Sequence, residues 1–183
     1  MVTKTKSNHM KNLLISAVLG GSLALGGCVS MPTPTDKPME SVAEIVDIQG
    51  QTKDQLFEAS KVWIAKSFKS ANNVIQYQDR DSGTIIGKGN IQFPCEGFID
   101  CGAFGKDRVN FTIQIDTKDG RARVSINDIT ATNLTYVQGG INNIGQDRPI
   151  LIIEHQQRIQ AKLKALIQQY KSEVVTQKTT SDW

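Results

Sequence analysis

Hydrophobic residues recur along the chain at several different spacings, and each spacing predicts a different kind of element. Residues 42–48 place apolar side chains at short intervals and predict a strand. From about 53 to 70 the apolar positions recur every three or four residues, which predicts an amphipathic helix with one buried face. This face consists of Leu56, Phe57, Ser60, Trp63, Ile64 and Phe68. Thr52 before the helix and Gln55 three residues later have the pattern of a capping box.

Four further strand-like runs follow this helix. In the third of them apolar and polar residues alternate, which indicates a sheet with one face in water. The Asp119-Gly120 turn separates the last two runs and is typical of a hairpin. Because the runs are close in sequence, we predict an antiparallel meander. The four runs cover residues 73–78, 84–93, 107–117 and 121–130.

A second long helix is predicted near the end of the chain. It begins near Pro149, a residue favoured in the first turn of helices, and continues to residue 175. The order strand, helix, four strands, helix predicts a two-layer α+β domain, in which an antiparallel sheet carries both helices on one face. We place this single domain at residues 42–175 and expect a frayed polar tail at residues 176–183.

The first stretch of the chain has the composition of a lipoprotein signal peptide. Three lysines precede an apolar run over residues 13–25, which is too short to span a bilayer comfortably. Two glycines and Cys28 follow, and this ending resembles the bacterial lipobox. We predict a signal peptide at residues 1–27, cleavage before Cys28, and attachment of diacylglycerol and palmitate-type acyl chains to that residue. An ordinary signal peptide with a chance cysteine, or a short membrane anchor, is the alternative.

Cleavage of this leader changes the charge of the chain and sets its compartment. Three of the 21 Lys and Arg residues lie in the leader, so 18 remain against 18 Asp and Glu, and the formal net charge becomes zero. This balance argues against nucleic acid as a partner. Residues 28–41, which contain Cys28 and several prolines, predict a disordered tether. Val29 takes the place of a retaining Asp and favours the outer membrane of a bacterial cell envelope, with the domain in the periplasm or at the surface.

Cys95 and Cys101 remain as an even pair once Cys28 carries lipid. In an oxidising compartment such a pair predicts a disulfide, here closing a hairpin or loop between the second and third of the four strand runs. Metal binding or thiol catalysis is the alternative. No histidine lies nearby in sequence to complete a zinc site, and no base is placed for a thiol catalyst. We therefore predict no metal site and no cofactor.

Two further features with chemical potential have plainer interpretations. Gly87-Lys88-Gly89 lacks the additional glycine and the strand-to-helix setting of a nucleotide-binding loop, so it favours close packing or a bulge. His155 is the only histidine after the leader, and it follows Glu154 on the predicted last helix. The spacing of the sequence does not assign it a nucleophile or an acid as a catalytic partner. We expect a solvated histidine or one at the edge of the core, and we assign no catalytic residue.

The segment at residues 131–147 is rich in glycine and asparagine and predicts a long loop. Loops of this length in compact domains are often binding loops, although a plain connector is the alternative. Its uncharged hydrogen-bonding side chains suit a peptide or a glycan. The candidate binding residues are Asn133, Tyr136, Gln138, Asn142 and Asn143.

One run within the domain is distinctive, because the turn Ser82-Gly83 leads directly into Thr84-Ile85-Ile86-Gly87-Lys88-Gly89. Together with Leu56-Phe57, Trp63-Ile64, Ile75-Gln76-Tyr77 and Asp79, this run resembles a bacterial family of secreted domains of unknown function with a TATA-binding-protein-like fold. The resemblance covers roughly residues 42–130 and implies the order β-α-β-β-β-β-α. It implies a fold and a compartment but no catalytic residues, since a fold does not determine a function.

These observations favour a non-enzymatic binding or interaction module that is anchored to the membrane. Its partner would be an envelope protein or an envelope polymer, docked on the sheet face away from the helices. A small hydrolase or transferase acting on envelope material is the alternative, and it requires a carboxylate pair, or His155 with an acid, lining a cleft. A structural or stress-related surface protein is a third possibility.

Overall fold

The computed structural model of the chain describes residues 31–68, 74–134 and 145–180. For residues 177–180 it describes the backbone only. The strands are Val42–Asp47 (β1), Ile75–Asp79 (β2), Thr84–Gln92 (β3), Arg108–Lys118 (β4), Arg121–Thr132 (β5) and Asp147–Arg148 (β6). The helices are Lys53–Ser67 (α1), Gly97–Phe104 (α2) and Ile153–Thr180 (α3). The predicted order of elements is therefore confirmed, with α2 and β6 as additions.

All six strands form one antiparallel sheet in the order β1-β5-β4-β3-β2, and β6 pairs with the end of β5. Strands β2 to β5 form the predicted meander. Strand β1 pairs with β5, so the last strand of the meander lies inside the sheet. The α+β class and the antiparallel sheet predicted from the sequence are confirmed.

Alternation along β4 separates the two faces of the sheet. Its apolar side chains are buried towards the helices, whereas the intervening polar residues lie on the other face, which we call the open face. Gly89 on β3 allows α1 to approach closely, because a Cβ atom there would lie 2.7 Å from the Phe111 ring and 2.9 Å from the Phe68 ring. The packing interpretation of the Gly87-Lys88-Gly89 run is therefore confirmed.

Helix α1 begins as its sequence predicts and is joined to α3 in the core. The Thr52 and Gln55 side chains each bond to the backbone of the other residue and complete the capping box. The Ser60 and Tyr170 hydroxyls are hydrogen bonded at 2.8 Å, and Trp63 packs edge-on against the Tyr170 ring. Burial raises the pKa of Tyr170 to about 12 despite the bond to Ser60.

The predicted disordered tether is wrong at residues 33–37, because this segment lies along the start of α3. Pro34 forms an antiparallel bridge with Ile152, and two backbone hydrogen bonds of 3.0 Å flank it. The Thr35 N–H donates to the Leu151 carbonyl, and the Thr33 carbonyl accepts from the Ile153 N–H. Prolines keep such a segment extended, while the threonines between them retain N–H groups for pairing. A composition that resembles a linker therefore also suits an added strand.

The last helix begins and ends later than predicted. It starts at Ile153 rather than Pro149, because Asp147–Arg148 pairs with β5 as a strand. At its other end it continues to Thr180, and no glycine or proline interrupts the sequence between residues 176 and 180. The helix therefore extends into the segment for which we expected a frayed tail, and residues 181–183 lie outside the described part of the chain.

The two ends of the sheet have different surroundings. At the α2 end, Gln92, Arg108 and Thr132 lie side by side in register. At the hairpin end, the turn between β4 and β5 connects Lys118 to Arg121. Strand β4 has 11 residues and runs from one end to the other. At about 3.4 Å per residue, the two ends are roughly 34 Å apart.

Candidate functional site

The chain between β3 and β4 is closed by a disulfide and contains α2. The sulfur atoms of Cys95 and Cys101 are bonded, and their Cα atoms lie 4.9 Å apart. Gly97 opens the helix with φ +72°, a left-handed conformation that favours glycine. The sequence predicted only a hairpin or loop here, because a helix of eight residues without a side-chain cap has too few turns for a clear periodicity.

Asp100 connects α2 to the first turns of α3. Its Oδ1 atom is hydrogen bonded to His155 Nε2 at 2.9 Å, and its Oδ2 atom accepts bonds of 2.8 Å from the Arg158 guanidinium and the Glu96 N–H. Partial burial alone would raise the pKa of Asp100, but the bonds from Glu96, Arg158 and His155 together lower it below its usual value of 3.8. The ionised carboxylate therefore fixes the position of α2.

His155 is enclosed where α2 meets the core. The residue is 4 % exposed, and its ring packs edge-on against Phe93 at 5.0 Å and Phe104 at 4.9 Å. The expected edge-of-core position is confirmed, but its acidic partner Asp100 was missed. That partner lies 55 residues earlier in the sequence, so no local spacing reveals it. An imidazole buried in this way is closed to a substrate and serves to hold α2 in place.

The docked N-terminal segment meets the same turn of α3. Thr33 donates from its N–H and from its hydroxyl to the Glu154 carboxylate, at 3.0 and 2.7 Å. These bonds lower the pKa of Glu154. Gln156 donates to the backbone carbonyl of Lys37 at 2.8 Å. The segment therefore reaches the domain beside the residues that bind Asp100.

The open face of the sheet is polar and internally hydrogen bonded near the hairpin end. Thr84 donates to Asp116 at 2.9 Å, and the Gln114 amide donates to both oxygens of the same carboxylate at 3.0 Å. Farther along, the Asn110 amide donates to Asp147 at 3.1 Å. This face is therefore a surface of hydrogen-bonding groups rather than an apolar groove.

A cleft of about 450 Å³ opens at the hairpin end of this face, and we call it the basic cleft. Lys118 and Arg121 lie directly opposite each other in the hairpin, and Arg123 lies between Asp116 and Ile45 on the neighbouring strands. Within the described ranges, none of the three cations forms an ion pair with a carboxylate. The basic cleft is lined by Ile45, Ser82, Asp116, Lys118, Arg121 and Arg123.

The hairpin turn carries a signal for this cleft that the sequence predictions missed. A two-residue Asp-Gly turn fixes the pairing of the residues on either side of it. The sequence Lys118-Asp119-Gly120-Arg121 therefore places two cations opposite each other by turn chemistry alone. The contribution of Ile45 depends on β1 pairing with β5, which only the folded sheet reveals.

The predicted binding loop is described only at its base. The Asn133 N–H donates to the Gln146 carbonyl at 3.2 Å, and the Asn133 carbonyl accepts from the Gly145 N–H at 2.7 Å. These bonds bring the two ends of the loop together. Asn133 therefore closes the loop, and its role in binding stays a prediction. The other four candidate residues of the loop lie outside the described part of the chain: Tyr136, Gln138, Asn142 and Asn143. The predicted lipidation site, Cys28, also lies outside it.

The described residues contain neither a cluster of metal ligands nor a helix that could span a membrane. Within residues 31–68, 74–134 and 145–180, no group of three or more His, Cys, Asp or Glu side chains is placed to hold a metal ion. In the same ranges, no helix combines the length and the apolar character needed to cross a bilayer.

An antiparallel sheet with two helices on one face defines the class of the domain, an α+β fold of the TBP-like kind. Residues 43–132 match the family described as "Domain of unknown function (DUF4468) with TBP-like fold". The domain formed by these residues belongs to this family. The family description names no activity, so the functional argument depends on the site itself.

Two solved structures share the fold. A TBP-like protein from Parabacteroides distasonis ATCC 8503 has a TM-score of 0.56 and 14% identity, over 77% of this chain and 96% of that one. A DUF4468 family protein from Bacteroides ovatus ATCC 8483 has a TM-score of 0.50 and 15% identity, over 81% and 90%. At these identities the likeness shows the fold alone. The comparison with curated proteins finds no significant match.

Proposed function

We propose that the protein is a lipoprotein of the bacterial outer membrane, anchored through acyl chains on Cys28. Its domain acts as a non-enzymatic binding module, and its basic cleft takes an acidic segment of an envelope protein. The lipobox-like end of the leader supports the anchor. The observation that carries the binding role is the set of three cations in the cleft that have no ion-paired carboxylate among the described residues.

The arrangement of these cations lowers the stability of the unbound protein, because two of them repel each other. Like charges directly opposite each other on paired strands are destabilising by up to about 1 kcal/mol. Lys118 and Arg121 form such a pair, and both are exposed. An anionic group between them would relieve this repulsion. Hydrogen bonds from Thr84 and Gln114 already occupy the nearby Asp116 carboxylate.

A peptide suits the cleft better than a simple ion does. Ile45 is 66 % exposed and lies beside Arg123 in the sheet, so an apolar surface adjoins the positive charges. Acidic side chains of a peptide would bind the cations, and an apolar neighbour would cover Ile45. Because interfaces of this kind combine an apolar contact with a charged rim, we assign the partner to the protein class.

Binding of a fluorescent oligoglutamate peptide to the full lipidated protein in detergent micelles tests this role by anisotropy. The variant with Lys118, Arg121 and Arg123 changed to glutamine is expected to lose most of the binding. A matched control variant changes Lys162, Lys164 and Lys171 on α3 to glutamine and removes the same charge. We expect that control to bind normally. Equal binding by both variants would contradict the proposal.

The anchor is tested separately from the cleft. Mass spectrometry of the N-terminal peptide from the membrane-extracted protein is expected to find Cys28 as the first residue, carrying diacylglycerol and a further acyl chain. A peptide that begins elsewhere, or one with an unmodified cysteine, would remove the anchor and leave the measurement of oligoglutamate binding unaffected.

A further inference from the structure

We propose that Phe98 and Ile99 on α2 form a second membrane contact, inserting into the lipid surface next to the acyl chains on Cys28. The proposal rests on the lipid anchor proposed above and adds an orientation to it. The α2 end of the domain then faces the bilayer, and the basic cleft faces away from it.

Phe98 and Ile99 are unusually exposed for large apolar residues. Phe98 is 95 % exposed and Ile99 is 80 % exposed, and they are adjacent on the outer side of α2. Isolated apolar side chains on a surface are ordinary. Two neighbouring apolar side chains that are almost fully exposed form a hydrophobic patch, and such patches often mark interaction sites.

The structure holds this pair outward by three separate means. The Cys95–Cys101 disulfide closes the segment around α2. Asp100, the residue after Ile99, is bound by α3 through His155 and Arg158. At the far end of α2, Phe104 stacks on Phe93 at 5.4 Å. Because both sides of the pair are tied down, α2 cannot easily turn to bury it in the core.

The length of chain before the domain places the lipid at the same end. Thr33 is bound to Glu154 at the start of α3, and it lies only five positions after Cys28. Five extended residues span at most about 18 Å. Glu154 is adjacent to His155, the partner of Asp100 on α2. A lipid on Cys28 is thus tied by a short chain to the turn of α3 that holds α2.

This short connection selects lipid as the occupant of the apolar pair. A domain on a long free tether would present Phe98 to any surface, whereas here the docked segment keeps the α2 end close to the bilayer. Aromatic and branched apolar side chains are the types that amphipathic elements insert at the boundary of headgroups and acyl chains. A second copy of the chain or a protein partner covering the pair would shield it from lipid.

Tryptophan quenching by brominated lipids tests the proposal on the full lipidated protein in phosphatidylethanolamine and phosphatidylglycerol vesicles that contain brominated phosphatidylcholine. We expect the Phe98→Trp variant to lose most of its additional emission relative to the unsubstituted protein. The matched control is Val175→Trp, at a position that is 46 % exposed and 22 residues beyond Ile153 on the same helix. We expect its additional emission to be unchanged, since it lies roughly 33 Å along α3.

The outcomes separate this proposal from the anchor on which it rests. Mass spectrometry of the same sample establishes the lipid on Cys28. If the lipid is present and the Phe98→Trp emission is unquenched, or is quenched no more than that of Val175→Trp, the membrane contact is wrong while the anchor stands. If the lipid is absent, both proposals lose their basis.

Discussion

The two ends of the sheet use charged side chains in opposite ways. At the α2 end, the single carboxylate of Asp100 is bound by three donors and ties a short helix to the core. At the hairpin end, Lys118, Arg121 and Arg123 lie in an open cleft without an ion-paired carboxylate among the described residues. Charges that are fully bonded contribute to structure, whereas charges without partners are available for binding. Neutralising a charge should therefore destabilise the folded protein at the α2 end, whereas at the hairpin end it should reduce the repulsion between cations.

The largest effect is expected from Asp100→Asn. The amide keeps the shape of the side chain but removes the charge that Arg158, His155 and the Glu96 N–H share. Hydrogen bonds to charged groups contribute about 1.5–3 kcal/mol, so we expect the free energy of unfolding to fall by about 3 kcal/mol. Urea denaturation at neutral pH measures this. A fall of less than a few tenths of a kcal/mol would show that Asp100 does not hold α2.

The same variant should change how stability depends on pH. The folded pKa of Asp100 lies below 3.8, so its contribution is fully present above that value and is lost as the pH falls through the folded pKa. We expect the difference in unfolding free energy between the parent and Asp100→Asn to shrink on acidification. Urea denaturation of both proteins from neutral pH to below pH 3.8 measures this difference. A difference that stays constant with pH would contradict a stabilising role for the ionised Asp100 carboxylate.

Removing the disulfide is expected to have the next largest effect. Closing a loop of this size stabilises a protein by about 2 kcal/mol through the entropy of the unfolded chain, and we expect Cys95→Ser with Cys101→Ser to lose that amount. Thermal unfolding of the double variant beside the parent measures the loss. Unchanged stability, with two free thiols found in the parent by mass spectrometry, would contradict a structural disulfide.

The smallest effect, of opposite sign, is expected at the hairpin. Lys118→Gln removes one of two facing cations, so we expect a gain of up to about 1 kcal/mol in unfolding free energy. Lys164→Gln on the exposed surface of α3 is the control for general charge removal, and we expect it to change stability by less. If Lys118→Gln destabilises the protein, the cations have structural partners, and the contrast between the two ends fails.

The elements predicted correctly are those whose signals are local. The alternation in β4, the three-and-four spacing in α1 and the Thr52–Gln55 capping pair each lie within one element, and each is present in the fold. The error at the N-terminal segment lies where distant residues meet. Glu154 binds Thr33 across 121 positions, and this contact converts a segment with the composition of a linker into a docked one.

The residues of the candidate sites also differ in whether local sequence could reveal them. The facing cations Lys118 and Arg121 follow from a turn sequence and were within reach of the sequence. The orientation of Phe98 depends instead on Asp100 meeting His155, which packing of α2 on α3 creates. A short helix that is bound to α3 through a single side chain leaves no periodic pattern, so its exposed apolar pair appears only in the folded chain.

Hydrogen–deuterium exchange on the lipidated protein in vesicles tests most directly whether the two ends bind different things. Relative to the protein in detergent-free amphipathic polymer, we expect vesicles to slow exchange in α2 and to leave the hairpin at Lys118 and Arg121 unchanged. Adding oligoglutamate should then slow exchange in the hairpin and leave α2 unchanged. Protection of the hairpin by vesicles, or of α2 by the peptide, would contradict the separation of the two ends.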